Sequence, residues 1–417
     1  MEVHNMKTLS LHPGKTQPAH LYTLDTIRAV SAFIVIFSHW QFFYYTNDVY
    51  TEDGYDPTAL PWYHWLSLVY NHAMVVVDLF FLLSGFIFFW LYAERVSSGK
   101  VGFGKFMWFR LTRLYPIHFV SLLLVVLLQF LMLRNAGHYF IIQYNDAYHF
   151  LLNLAFIQNW GLEKGPSFNG PSWSASVEVF LYIVFFITCR LHWQRKIGLL
   201  ALLMPAGLVV YYFYDLLGKG IFSFFEGALV YYAYKWIVEE NRIRQFLPVI
   251  AGVTLTLFAG LLMAGNFPYI SHGVLSLLQQ VIPGRDEAFY LHALVIAGRV
   301  FFRSIIAPLI ILTLVLWGTN SKGSGKRWSW LGNSSYAMYL LHFPLQITFV
   351  LITDYYGISR TVYHSPYTIL LFFTILLPLS IAAHYGFEYP VQEKLRSRLF
   401  RKAKQPVSIA EPAIISQ

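Results

Sequence analysis

The sequence predicts an all-α polytopic membrane protein with about ten transmembrane helices and both termini cytoplasmic. Three observations carry that prediction. Of 417 residues, 57% are hydrophobic and only 12% are charged, about half the charged share usual for soluble domains. Mean hydropathy is +0.50. The apolar runs extend for about 20 residues, the length of a bilayer-crossing helix, whereas barrel strands would alternate over roughly ten.

Taken in order, the expected spans are 23–45, 65–92, 113–133, 171–190, 197–214, 219–237, 246–265, 289–317, 329–352 and 366–388. The eighth contains Arg299, Arg303 and Pro308 and is expected to tilt or break. Residues 147–160 are apolar but short, and read as an interfacial or re-entrant piece. Charge sets the phase. With the N-terminus inside, 22 Lys and Arg fall in inner segments, from Lys7 and Lys15 to the tail Lys394–Lys404, against 5 in outer loops. A missed span would put later loops out of phase with this bias. The chain then divides into a cytoplasmic N-terminal tail at 1–22, a transmembrane domain at 23–390 and a basic cytoplasmic C-terminal tail at 391–417. Residues 1–20 are polar, so the first apolar run is expected to persist as a signal anchor in the cell (inner) membrane. No soluble domain is expected beside the spans.

The net charge of +9 does not imply nucleic acid, because the bases sit in short loops between spans. The single cysteine, Cys189, excludes an intrachain disulfide and a cysteine-cluster metal site. No metal and no tightly bound cofactor is expected. The first outer loop, "TNDVYTEDGYDPTALPWYHW", is acidic and aromatic and suits a rim that meets a polar, sugar-bearing partner.

Buried ionisable residues carry the functional signal, since each is costly in hydrocarbon. In "RAVSAFIVIFSH", Arg28 and His39 are eleven positions apart, which places them on one helical stripe about 16 Å apart along the axis. A fixed, forked cation suits phosphate, and an imidazole moves protons near neutral pH. Asp25 lies three residues before Arg28 and is placed to orient it. Arg110 and Arg113, in "FRLTRLYP", share a helical face where the third span enters from the cytoplasm. Asp78 sits inside the second span, followed by Ser84 and Gly85, a small pair that permits close helix approach. Ser84 reads as packing rather than nucleophile, because no Gly-x-Ser-x-Gly elbow surrounds it. Glu178, in "GPSWSASVEVFLY", is placed either to orient His39 or take a hydroxyl proton, or to pair with an arginine such as Arg299. His342 lies deep in the ninth span before Pro344, and His384 and Glu388 sit at i, i+4 near the end of the tenth.

These stretches together resemble the acyltransferase 3 family of integral-membrane O-acyltransferases, over nearly the whole chain from "LDTIRAV" to "FEYP". The family's Arg-x10-His signature maps onto Arg28 and His39, and its Arg-x-x-Arg signature onto Arg110 and Arg113. "DLFFLLSGF", "PSWSASVEVFLY" and "YAMYLLHFP" resemble three further blocks. The chain departs from the Trp-Ser block, which often carries two adjacent glutamates, because Val179 follows Glu178 here. The resemblance implies transfer of an acyl group, commonly acetyl, from cytoplasmic acyl-CoA to a hydroxyl of a glycan or lipid-linked saccharide.

The residues then suggest a division of labour. Arg28, Arg110 and Arg113 would hold the donor's phosphates, His39 would act as general base with Glu178 orienting it, and Asp25, Asp78, Ser84 and His342 would support them. The alternative is a proton-coupled secondary transporter of a sugar or lipid, which would use Asp78, Glu178, Arg299, Arg303 and His342. Against it, the sequence lacks the repeated half many transporters show.

Overall fold

The computed structural model describes residues 20–51, 54–266, 268–321 and 323–402. The rest of the two tails lies outside the described residues, as do Lys7, Lys15, Lys322 and Lys404 of the charge pattern. The chain folds into helices joined by short turns: α1 (Tyr22–His39), α2 (Tyr63–Asn71), α3 (Ala73–Leu91), α4 (Ala93–Ser97), α5 (Phe103–Ala136), α6 (Ala147–Leu154), α7 (Trp173–Arg190) and α8 (Ile197–Phe213). There follow α9 (Asp215–Glu239), α10 (Ile243–Asn266), α11 (Pro268–Val281), α12 (Glu287–Phe301), α13 (Ala307–Asn320), α14 (Ser329–Tyr355), α15 (Pro366–Ala383) and α16 (Tyr389–Lys402). Eight helical stretches among the described residues are long and apolar enough to cross a membrane.

The expected spans locate helices, with four differences. The second is two helices, because the backbone leaves the helical region at His72 (φ −124°). The fifth corresponds to α8, apolar but only 17 residues long. The sixth is α9, which is long enough but carries Asp215, Lys219, Glu226 and Lys235, so eight stretches rather than ten qualify on length and apolarity. The third span begins earlier than expected, at Phe103, so Arg110 and Arg113 lie about two turns or more inside α5 rather than at its mouth. The expected break in the eighth span is a π-helical turn, Phe302–Ile306, between α12 and α13, with Arg303 inside it. Residues 147–160 contain only the eight-residue α6.

Close backbone contact fixes the centre of the bundle. A Cβ on Gly85 would lie 1.9 Å from the carbonyl oxygen of Phe224, and one on Gly227 would lie 2.0 Å from that of Leu82. The α3–α9 crossing therefore tolerates only hydrogen at both positions, as small-residue helix seams in membranes do. Gly332 serves α14 in the same way, bringing it against Asp25 of α1. Around these seams Phe88, Phe106, Tyr182, Phe185 and Phe224 interlock with ring centroids 5.0–6.4 Å apart, the separation aromatic pairs favour.

Candidate active site

His39 is the last residue of α1, and its half-buried ring reaches across to α14. Its Nδ1 lies 2.8 Å from Nε2 of His342, which is fully buried. His342 Nδ1 lies 2.6 Å from the carbonyl oxygen of Tyr339. A carbonyl can only accept, so in the neutral pair His342 carries its proton on Nδ1. Its Nε2 then accepts from the N–H at His39 Nδ1, and Nε2 of His39 keeps a lone pair. The chain from Tyr339 through His342 to His39 thus sets a base at the end of α1. Gln346 donates to the His39 carbonyl at 2.8 Å, and Phe42 stacks on the ring at 4.8 Å.

Pro344 explains how α14 is anchored beside this pair. Proline has no N–H to give the carbonyl four residues back, that of Leu340. Asn169 donates to that carbonyl instead, at 2.9 Å, and so ties the loop before α7 to α14.

A cavity of about 100 Å³ opens between α1, α3, α5, α7 and α14. Arg28, Arg110, Arg113, Ser84, Glu178 and Tyr339 are among its lining residues. Arg28 is held by Asp25 at 3.1 Å, and Asp25 also takes a 2.7 Å contact from His20. Arg110 lies over the rings of Phe88 and Tyr92, 4.0 and 4.3 Å from their centroids. Its buried Nε and Nη2 have no hydrogen-bond partner in the protein. Glu178 accepts from Ser84 Oγ at 3.2 Å and from the Tyr182 hydroxyl at 2.8 Å. The carboxylates of Glu178 and Glu388 both act electrostatically on Arg113.

Residues 21–383 match a family described as an acyltransferase domain. The chain belongs to the acyltransferase 3 family. A stretch of 112 residues is also 29% identical to "Protein 2 in picA locus" of Rhizobium radiobacter, covering 27% of this chain and 47% of that protein. The chain therefore spans about half the length of that curated relative. No solved structure matches.

The region matched to the acyltransferase 3 family holds every residue singled out from the sequence except Glu388 and His384. The structure regroups them. Arg28, Arg110, Arg113, Ser84 and Glu178 meet at the cavity. His39 and His342 meet outside it, neither being among its lining residues, and Tyr339, which does line it, is linked to them by its carbonyl on His342. The residue hydrogen-bonded to His39 is His342 and not Glu178, which is engaged by Ser84 and Tyr182. Arg299 is exposed on α12. The intramembrane pair is instead Arg303 Nε with Asp78 Oδ2, at 2.6 Å. Ser84 donates its hydroxyl to Glu178. His384 and Glu388 pair at 2.9 Å. Tyr182, Tyr336, Tyr339 and Gln346 join the site without having stood out in the sequence, although Tyr336, Tyr339, His342 and Gln346 form a polar stripe at spacings of three and four.

Proposed function

We propose that this protein moves an acyl group, acetyl in the simplest case, from cytoplasmic acyl-CoA to a hydroxyl of a cell-surface carbohydrate or its lipid-linked precursor, within the inner membrane. The observation that carries this reading is the polarised pair of imidazoles at the end of the helix that brings Arg28 to an arginine-lined cavity. The two unpartnered donors of Arg110 suit an anionic group such as a donor phosphate, with Arg28 and Arg113 adding charge. His39 Nε2 removes the proton from the acceptor hydroxyl as its oxygen attacks the thioester carbonyl. The carbon–sulfur bond breaks, and the imidazolium returns the proton to the departing thiolate. The His342–Tyr339 chain orients the ring and supports its transient charge, with Glu178 setting the electrostatics around Arg113.

The test is thioester consumption and acyl transfer by purified protein in nanodiscs with acetyl-CoA and extracted envelope glycan. His39→Ala should lower kcat by roughly 10³-fold, within the range of lost general-base catalysis, while thermal unfolding is unchanged. Turnover retained by that variant would overturn the reading. Of the residues the transporter alternative would use, Glu178 lines the arginine cavity, Asp78 and Arg303 pair with each other away from it, Arg299 is exposed and His342 bonds His39. A transporter would leave acetyl-CoA intact in the same assay.

A further inference from the structure

Beyond His39 the chain does not leave the site at once. It continues as a 3₁₀ turn, Trp40–Tyr44, which rises about 10 Å and delivers Tyr44 and Tyr45 to a second pocket. This pocket lies at the end of α1 away from Arg28, has a volume of about 610 Å³, and falls within the roughly 300–1,000 Å³ of small-ligand sites. Its walls are aromatic. Tyr44 stacks on His364 with centroids 4.7 Å apart, and Tyr45 meets Tyr55 edge-on at 5.1 Å. The Tyr55 hydroxyl donates to Gln41 Oε1 at 2.5 Å, only two residues past the base.

The polar lining is equally constructed. Asp48 is 4% exposed and receives both Nη atoms of Arg360, at 3.1 and 3.3 Å. Arg360 also donates to Asp354, and the backbone carbonyl of Asp48 accepts from Ile141 N at 2.8 Å, so three loops are pinned at one residue. Burial pushes the Asp48 carboxyl above its ordinary value, with Arg360 and His138 opposing. Asn47 and Asp48 both adopt left-handed backbone, φ 53° and 54°. Asn and Asp are the non-glycine residues that most readily take this conformation, and here the pair turns the chain at the pocket wall.

Chemistry selects the occupant. An acyl chain would leave Asp48, Asp56, Asn47 and Arg360 facing hydrocarbon. Charges of both signs line the pocket, which disfavours a strongly charged ligand of either sign. A neutral sugar satisfies both halves: its C–H face lies on tyrosine rings while its hydroxyls pair with carboxylate, amide and guanidinium. We infer that this pocket seats a neutral pyranoside ring of the acceptor, a role that rests on the transfer reading above.

The experiment uses the full chain in nanodiscs, with the methyl glycosides of glucose, galactose, mannose and N-acetylglucosamine as probes, read by saturation-transfer difference NMR. At least one should bind. Tyr55→Ala should weaken that binding about tenfold, the size of a lost ring contact, and Tyr55→Phe about threefold, for the hydroxyl alone. CoA affinity should stay within about twofold in both, since Tyr55 is remote from Arg28 along α1. If Tyr55→Ala does not fold, Asp56→Ala carries the test, because Asp56 is exposed and caps only the short turn at Pro57–Ala59; it should weaken binding about threefold. Absence of binding by all four glycosides would overturn the inference, as would undiminished binding by the folded variants. A glycoside bound here with acetyl-CoA never consumed would instead sink the transfer reading and leave the sugar site standing.

Discussion

The spans α3 and α10 are almost equally apolar, yet 72% of the α3 stretch is buried inside the bundle and only 6% of the α10 stretch is. Apolarity therefore does not separate the centre of this molecule from its edge. What separates them is the polar residues the two tolerate. The α3 stretch carries Asp78 and Ser84, each engaged by a neighbouring side chain, whereas residues 246–263 of α10 carry no charged residue at all. In hydrocarbon an ionisable group survives only where another helix supplies its partner. Buried charge is thus a map of which helices face inward.

That contrast can be pressed from several directions. The largest effect is expected on the inner side, from His342→Ala, which leaves Nδ1 of His39 without its acceptor and its ring without an orienter. We expect kcat to fall by roughly 10–100-fold while KM for the donor holds, with partial recovery in His342→Gln, whose carbonyl can accept the same bond. Equal loss in both variants would mean a merely structural place for His342. Next comes Gly227→Ala, where the added methyl meets the Leu82 carbonyl at the α3–α9 crossing. A loss of about 1–3 kcal/mol is expected from overpacking, seen as a lower Tm in detergent. The smallest effect belongs to the same substitution at the periphery. Gly252 in α10 has nothing within 4 Å of its virtual Cβ, so Gly252→Ala should change Tm slightly and upward, by less than about 1 kcal/mol of helix propensity. Equal responses at the two glycines would erase the distinction between centre and edge.

The spans were legible in the sequence because membrane insertion writes long apolar runs. The backbone breaks are less so: the interruption at His72 is marked only by Asn71 and His72 in an otherwise apolar run, and the expected second span reads straight through it. The Arg28–His39 stripe was legible because eleven residues make about three turns of one helix. The His39–His342 contact joins residues 303 positions apart, and nothing local in a single sequence encodes that meeting. A carboxylate and a second imidazole can both orient a base, so residue type alone does not separate Glu178 from His342 as the partner of His39. The tyrosines at 336 and 339 were hard to see because phenol hydroxyls blend into an apolar span, where one aromatic ring resembles another in pattern.

The bond between Asp78 and Arg303 has a consequence for descent as well as for folding. Glu226, 4% exposed and with Oε2 unpartnered, feels both groups electrostatically. Loss of Arg303 would strand two acids in a water-poor interior, which is far more damaging than replacing the whole set with apolar residues. A π turn is one extra residue threaded into a helix, so deleting a single residue between 302 and 306 would swing the guanidinium about 100° around the axis. Three side chains and one inserted residue therefore depend on one another. Lineages that drift at one of these positions should be found to have drifted at the others.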